Sequence, residues 1–258
     1  MIIGLLAALM VYLFGGGGQE TIFLDQQVQK NVKTYVSDKS RKKEIFQEID
    51  LIKKDQKDFL KKRKNYYAGN ASKLNLNFSA KREDFDKLFG DYFDERKKLQ
   101  SSYIDHELKI RTLIKEEEWE KIVASALDKP DNVKARKSYL KLSEKLFGDV
   151  QLACGKTILD SKKSEEARGN VLEVKAEVDR FVNEFLDLNY KDLEPLRKLT
   201  ASRSDFESLW VGTNDLRKKI LANLISMRFK LAAMSTEKEW KKLGKELDKL
   251  FTNGKSLI

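Results

Sequence analysis

His106 and Cys154 are the single imidazole and the single thiol in a chain of 258 residues. One of each rules out a disulfide framework and a Cys/His zinc cluster. No phosphate-binding glycine loop, dinucleotide fingerprint, HExxH helix, nucleophile elbow or EF-hand loop occurs. Asp84 and Asp86 are the nearest thing to paired carboxylates, and two residues apart on a helix they face different directions. The expectation is a protein that is not an enzyme, with no catalytic residue, no cofactor, no metal and no small-molecule substrate. His106 then reads as a helix-seam or edge residue and Cys154 as a small packed one.

The residues with more to offer come in pairs. Arg96 and Arg217 each follow an aspartate by two positions, Asp94 and Asp215, and each falls on an apolar helix seam. A guanidinium on a seam is costly unless paired, so both are expected to fix helix register through a carboxylate on a facing helix, or to meet a partner. Trp119 and Trp240 each close a short acidic run, Lys115-Glu-Glu-Glu-Trp and Thr236-Glu-Lys-Glu-Trp. Thr236-x-x-Glu239 is a capping box, so each Trp is expected just inside a new helix, closing a hairpin end.

These pairs belong to an internal duplication. A shift of 121 residues superposes 82–122 on 203–243 without a gap, with 14 identities in 41 positions. Asp94, Arg96, Lys97 and Lys98 meet Asp215, Arg217, Lys218 and Lys219, and Trp119 meets Trp240. Each unit reads as a long helical hairpin. In the first, Ile45, Ile49, Ile52, Gln56, Phe59, Arg63 and Tyr66 recur at steps of four and three, the spacing of packed helices. Residues 68–79 carry turn chemistry and are expected to break that helix. A second seam runs from Phe85 to Leu113 and its counterpart from Phe206 to Met234, facing Val171, Val174, Val178, Phe181, Phe185 and Leu188. The predicted organisation is a membrane anchor over 1–18, a first hairpin over 19–134, a connector of one or two short helices over 135–160, and a second hairpin over 161–258.

Composition agrees with an all-α fold. Only 2 residues are Pro and 13 Gly, while 36% are charged and 41% hydrophobic. Lys and Arg number 51 against 41 Asp and Glu, a balance of +10. The cations are interspersed with acids at helical spacing, so a solvated mixed-charge surface is expected and no nucleic-acid partner. Residues 2–14 (IIGLLAALMVYLF) carry no charge. At about 1.5 Å per residue they span roughly 20 Å, short for a membrane core of about 30 Å. The length also suits a signal peptide, but no basic stretch precedes it and no A-x-A site follows. The expectation is a retained transmembrane helix, with Gly4 and Ala8 letting another membrane helix approach closely. Lys30 and Lys33 lie near the limit of the positive-inside rule and lean weakly toward a cytoplasmic domain.

Phe85-x-x-Leu88, Arg96-Lys-Lys, Lys109-Ile110 and Leu113-Ile-Lys115-Glu-Glu-Glu-Trp119, with the second copy Met234-Ser-Thr236-Glu-Lys-Glu-Trp240, resemble the helical hairpin of Spy/CpxP-type periplasmic proteins. That family carries an LTxxQ-type motif near a helix break, where this chain has Trp in place of Gln. The resemblance covers about 40 residues of each unit. It implies an all-helical periplasmic domain related to ATP-independent chaperones and envelope-stress sensors, which the N-terminal anchor would hold at the bacterial inner membrane. The expected function is a single-pass, membrane-anchored scaffold or accessory subunit that binds other inner-membrane or envelope proteins. The alternative is a membrane-tethered, ATP-independent chaperone of the Spy type.

Overall fold

The computed structural model describes residues 21–124, 132–191 and 197–252, and among them every regular element is helical. Residues 1–18 lie outside the described residues, and with them Gly4, Ala8 and the expected anchor. No helix among the described residues is long and apolar enough to cross a membrane.

A 3-10 turn, Ile22–Leu24, leads into α1 (Gln26–Tyr35), whose first turn is capped by the Asp25 carboxylate accepting from the Gln27 and Val28 N–H groups. The next helix, α2 (Lys39–Lys62), is capped by Asp38 and buries Ile45, Ile49, Ile52 and Phe59 from the predicted seam. It does not break at residue 68. A single π turn, Arg63–Tyr67, passes the chain directly into α3 (Ala68–Leu76), and the reversal comes only at 77–81. The turn-forming residues Gly69, Asn70 and Ser72 are absorbed because α3 is packed along another helix, and tertiary contact overrides weak local propensity. The wide turn also moves the seam. One extra residue in the turn rotates the helix beyond it, so Tyr67 is buried at 4% exposure while the predicted Tyr66 stands 49% exposed.

The long helix α4 (Arg82–Thr112) starts where the Asp84 carboxylate accepts from the Lys81 N–H. After a break at Leu113, α5 (Glu116–Val123) begins in the same way, with Glu118 accepting from the Lys115 N–H. The expected connector is one helix, α6 (Asn132–Thr157), followed by α7 (Ser161–Lys191), α8 (Arg203–Ala233) and α9 (Glu237–Thr252). Both α4 and α8 hold 31 residues and begin 121 positions apart. At about 1.5 Å per residue each is roughly 46 Å long. Their starting caps match as well, since Asp205 accepts from the Ser202 N–H.

The packing pairs α4 with α2 and α8 with α7, and it sets α4 against α8. This explains why α4 buries more than a narrow seam. Phe85, Leu88, Tyr92, Leu99, Tyr103 and Ile110 are joined by Phe89, Gln100, Ile104 and Arg111 on an adjoining stripe, because the helix is covered from two sides. The short α5 packs on α1, and α9 packs on α6. In the second half, α6 therefore stands where α1 stands in the first. The tip of the first hairpin, α3, rests on α9 of the second half.

If the π turn is one inserted residue, deleting exposed Asn65 restores an ordinary helix and leaves Tyr67 and Ala71 on the seam. Thermal unfolding of the Asn65 deletion is expected to stay within about 1 kcal/mol of the parent. Deleting Lys54 from α2 instead rotates Phe59 out of the core and is expected to cost at least ~3 kcal/mol.

Candidate functional site

Trp119 and Trp240, 3% and 1% exposed, sit at opposite ends of the molecule and do not meet. Each is the centre of a joint between the two halves. The Trp119 indole Nε1–H donates to the Arg197 carbonyl at 2.6 Å, and the Trp240 Nε1–H donates to the Asn75 carbonyl at 3.2 Å. In each case a Trp of one half holds the hairpin tip of the other. An arginine completes each joint. The Arg111 guanidinium lies 4.4 Å from the Trp119 ring and 5.0 Å from Phe206, and it donates to the Lys198 carbonyl. The Arg228 guanidinium lies 4.9 Å from Trp240 and 5.5 Å from Phe85, and it donates to the Asn77 carbonyl. Phe85 and Phe206 are counterparts in the 121-residue register, as are Asn77 and Lys198.

The two joints differ in charge. Arg111 forms an ion pair with Glu107 at 2.8 Å, both almost wholly buried, and burial raises the Glu107 carboxyl although Arg111 opposes it. The register counterpart of Glu107 is Arg228 itself. Burial lowers that guanidinium to about 10, which leaves it a cation at neutral pH, facing ring faces and a carbonyl. At the Trp240 joint Asn75 also donates to the Gly244 carbonyl at 3.1 Å. A Cβ on Gly244 would come within 3.0 Å of the indole nitrogen, so glycine is what lets the ring lie flat there.

Arg96 and Arg217 do come together, at the centre, where α4 and α8 cross. Both are buried, at 0% and 4% exposure. Arg96 Nε donates to Asn214 Oδ1 at 3.3 Å and Arg217 Nη1 donates to the same oxygen at 3.0 Å. An amide shared by two guanidiniums thus ties the helices, where the sequence suggests a carboxylate. Asn214 Nδ2 passes the connection on to Gln100 Oε1 at 2.8 Å, and Gln100 Nε2 has no acceptor. Burial holds Arg96 well below its ordinary range, with the charge of Arg217 adding to the effect, and burial lowers Arg217 to about 10. The Arg217 guanidinium also stacks 4.7 Å from Phe185.

Above this polar centre lies an open groove of about 580 Å³ between α4 and α8, bounded by Phe93, Trp210 and Val211 and by the register partners Asp94, Asp215, Lys97 and Lys218. Asp94, Lys97 and Asp215 are exposed there and enter no ion pair among the described residues. Several other polar groups are committed to structure. Glu118 accepts from both Arg41 Nη atoms at 2.8 and 2.9 Å, and Arg41 also donates to the Leu113 carbonyl. The hydrogen bond from Arg41 holds the Glu118 carboxyl down to about 2, against the opposing effect of burial. Glu239, the counterpart, accepts the Leu159 N–H at 2.7 Å and so clips the loop before α7 to α9.

His106 lies at the edge of the α2–α4 seam. Its Nδ1 is 2.6 Å from Glu48 Oε2, and its Nε2 is 3.9 Å from Asp55, which itself accepts from Ser102 Oγ at 2.5 Å. Burial pushes the Glu48 carboxyl up, but the hydrogen bonds from Lys109 and His106 overcome it and hold the group below the usual range. Cys154 is buried on α6. Among the described residues no cluster of His, Cys, Asp and Glu could hold a metal ion. No protein-family model, curated protein or solved structure matches the chain.

Sequence reasoning singles out Trp119, Trp240, Arg96 and Arg217 but misses Arg111, Arg228, Asn214 and Gln100. The first two sit on different turns of their helices, opposite Ala232 and Glu107 in the register, so comparing the repeats hides them. Asn214 stands opposite Phe93 and is hidden in the same way.

Removing the donor together with part of the buried ring, Trp240→Phe is expected to cost about 1–3 kcal/mol in denaturant unfolding, and Trp240→Ala about 3–5 kcal/mol. The acid limb of stability should report Glu118. Its folded value lies below the ordinary carboxylate value of about 4.3, so its contribution is full above that pH and is lost as pH falls through about 2. Glu118→Gln is expected to lose about 2 kcal/mol at pH 7 and to show a flatter decline across that window in acid titrations followed by circular dichroism.

Proposed function

We propose that the chain is a membrane-anchored helical scaffold, an accessory subunit of a bacterial envelope complex, that works by binding and not by catalysis. The observation that carries this reading is the exposed groove between α4 and α8, lined from both halves by matching residues. The arginine and tryptophan side chains buried beneath it and at the ends hold the two halves together. On this reading the halves are tandem copies of one helical hairpin, laid side by side as an elongated bundle that presents the groove at its middle.

Attachment to the membrane falls to residues 2–14, with Gly4 and Ala8 as the contact with neighbouring membrane helices. The resemblance of the two helix breaks to Spy/CpxP-type proteins supports a periplasmic position for the helical part. It also supports the second reading, a tethered chaperone. The burial of Trp119 and Trp240 at that motif favours the scaffold, because these rings are occupied inside the protein.

The test is native mass and composition after extraction of a C-terminally tagged chain in mild detergent. Stoichiometric membrane partners, lost on Gly4→Leu with Ala8→Leu, are the expected result. Recovery as a lone monomer that suppresses aggregation of an unfolded client at equimolar ratio without ATP would replace the scaffold by the chaperone.

A further inference from the structure

The charges around the central groove form an ordered ladder. Two contacts set the antiparallel register of α4 and α8, the ion pair of Arg203 with Asp105 at one end and the hydrogen bond of Arg82 to Ser226 at the other. In that register Glu207 lies level with Ser101, Val211 with Lys97, and Asp215 with Phe93. Along the groove the signs therefore alternate, from Glu207 to Lys97, then Asp94 with Asp215, then Lys218. Each step is three or four residues of helix, roughly 5–6 Å, which is one helical turn. Asp94, Asp215 and Lys97 enter no ion pair among the described residues, while Lys218 lies over the Phe93 ring at 5.6 Å.

An apolar track accompanies the ladder. Val211 is 60% exposed and stands beside Trp210, with Phe93 and Ile104 along the same trough. A trough between two antiparallel helices, apolar along its floor and charged along its edges, has the form that receives a third helix. An extended peptide fits less well. Its backbone N–H and C=O groups would need a row of partners, and both walls of the groove are helices whose own backbone groups are paired within them. A helix satisfies its own backbone.

We propose that the α4–α8 groove receives an amphipathic helix of a partner protein, whose apolar stripe is flanked by charges alternating in sign at every turn, cation opposite Glu207 and the aspartates, anion opposite Lys97 and Lys218. This deepens the scaffold reading, on which the existence of a partner rests, by naming the partner's chemistry.

The experiment uses the full chain in mild detergent and three fluorescent 18-residue helical peptides of identical apolar stripe, flanked by alternating Lys and Glu, by Glu alone or by Lys alone. The alternating peptide is expected to bind at least ~10-fold more tightly than either other, and less tightly in about 0.5 M salt. Val211→Asp, at an exposed position, is expected to weaken that binding at least ~10-fold. Lys97→Glu with Lys218→Glu makes the groove wholly acidic and should transfer the preference to the Lys-flanked peptide. Equal affinity for all three peptides, no saturable binding, or indifference to Val211→Asp would overturn the inference. The two readings fail separately. A stoichiometric membrane partner that co-purifies undiminished with the Val211→Asp chain keeps the scaffold and removes the groove, whereas the peptide pattern without any co-purifying partner does the reverse.

Discussion

A guanidinium sandwiched between a tryptophan of its own half and a phenylalanine of the other, and donating to a backbone carbonyl beyond, is the constraint on which this fold depends. Arg111 and Arg228 both meet that description. Removing a charge from water is expensive, and here the cost is offset by ring faces on two sides and by a carbonyl the hairpin tip must expose when it turns. Arginine suits the position because its flat, delocalised head can stack and donate at once. The ammonium of lysine offers a point charge with no face to stack. With both joints formed, α4 and α8 are pinned near their ends, and the arginine–amide cluster in the middle fixes their relative height.

The all-helical class and the long hairpins are legible in the sequence because they depend on spacing alone. Ile45, Ile49, Ile52 and Phe59 announce their own packing. So does the helix start at Glu239, whose carboxylate reaches back to the Thr236 N–H, while the same cap at Asp84, Glu118 and Asp205 is seen only in the structure. The meeting of the two halves could not be read. Arg111 and Arg228 do equivalent work from positions that do not correspond, since a side chain with a reach of several ångströms can serve the same carbonyl from either of two successive turns. The π turn is equally silent in composition, and without it Tyr66 and Tyr67 exchange places. The groove lay half in view. Lys97, Lys218, Asp94 and Asp215 stand out as matched residues, but their alternation across two helices exists only once the antiparallel register is known.

The halves are equivalent in scaffold and unequal in detail. One joint carries a buried carboxylate, Glu107, and the other an arginine in the same register position. One seam edge carries the Glu48–His106–Lys109 network, and the other has Met227 buried where the histidine would be. Shared Trp119, Trp240, Arg96 and Arg217 and unshared Arg111, Arg228 and Asn214 together hold the frame, while the unshared Glu48–His106 pair gives one flank an edge of its own. The groove where α4 and α8 cross presents exposed residues of both halves side by side.

The exchange of hairpin tips also bears on how the molecule comes to exist on the ribosome. Trp119 finds its acceptor in Arg197 and Arg111 finds its own in Lys198, so the leading half stays incomplete until the chain has grown well into its second half. During synthesis the faces of α4 and α5 that these residues will cover are open, and contacts between segments so distant in the chain form late. The nascent protein must pass through a period in which half of it is built but not closed, a natural interval for assistance from other factors and for mistaken pairing with a neighbouring nascent copy.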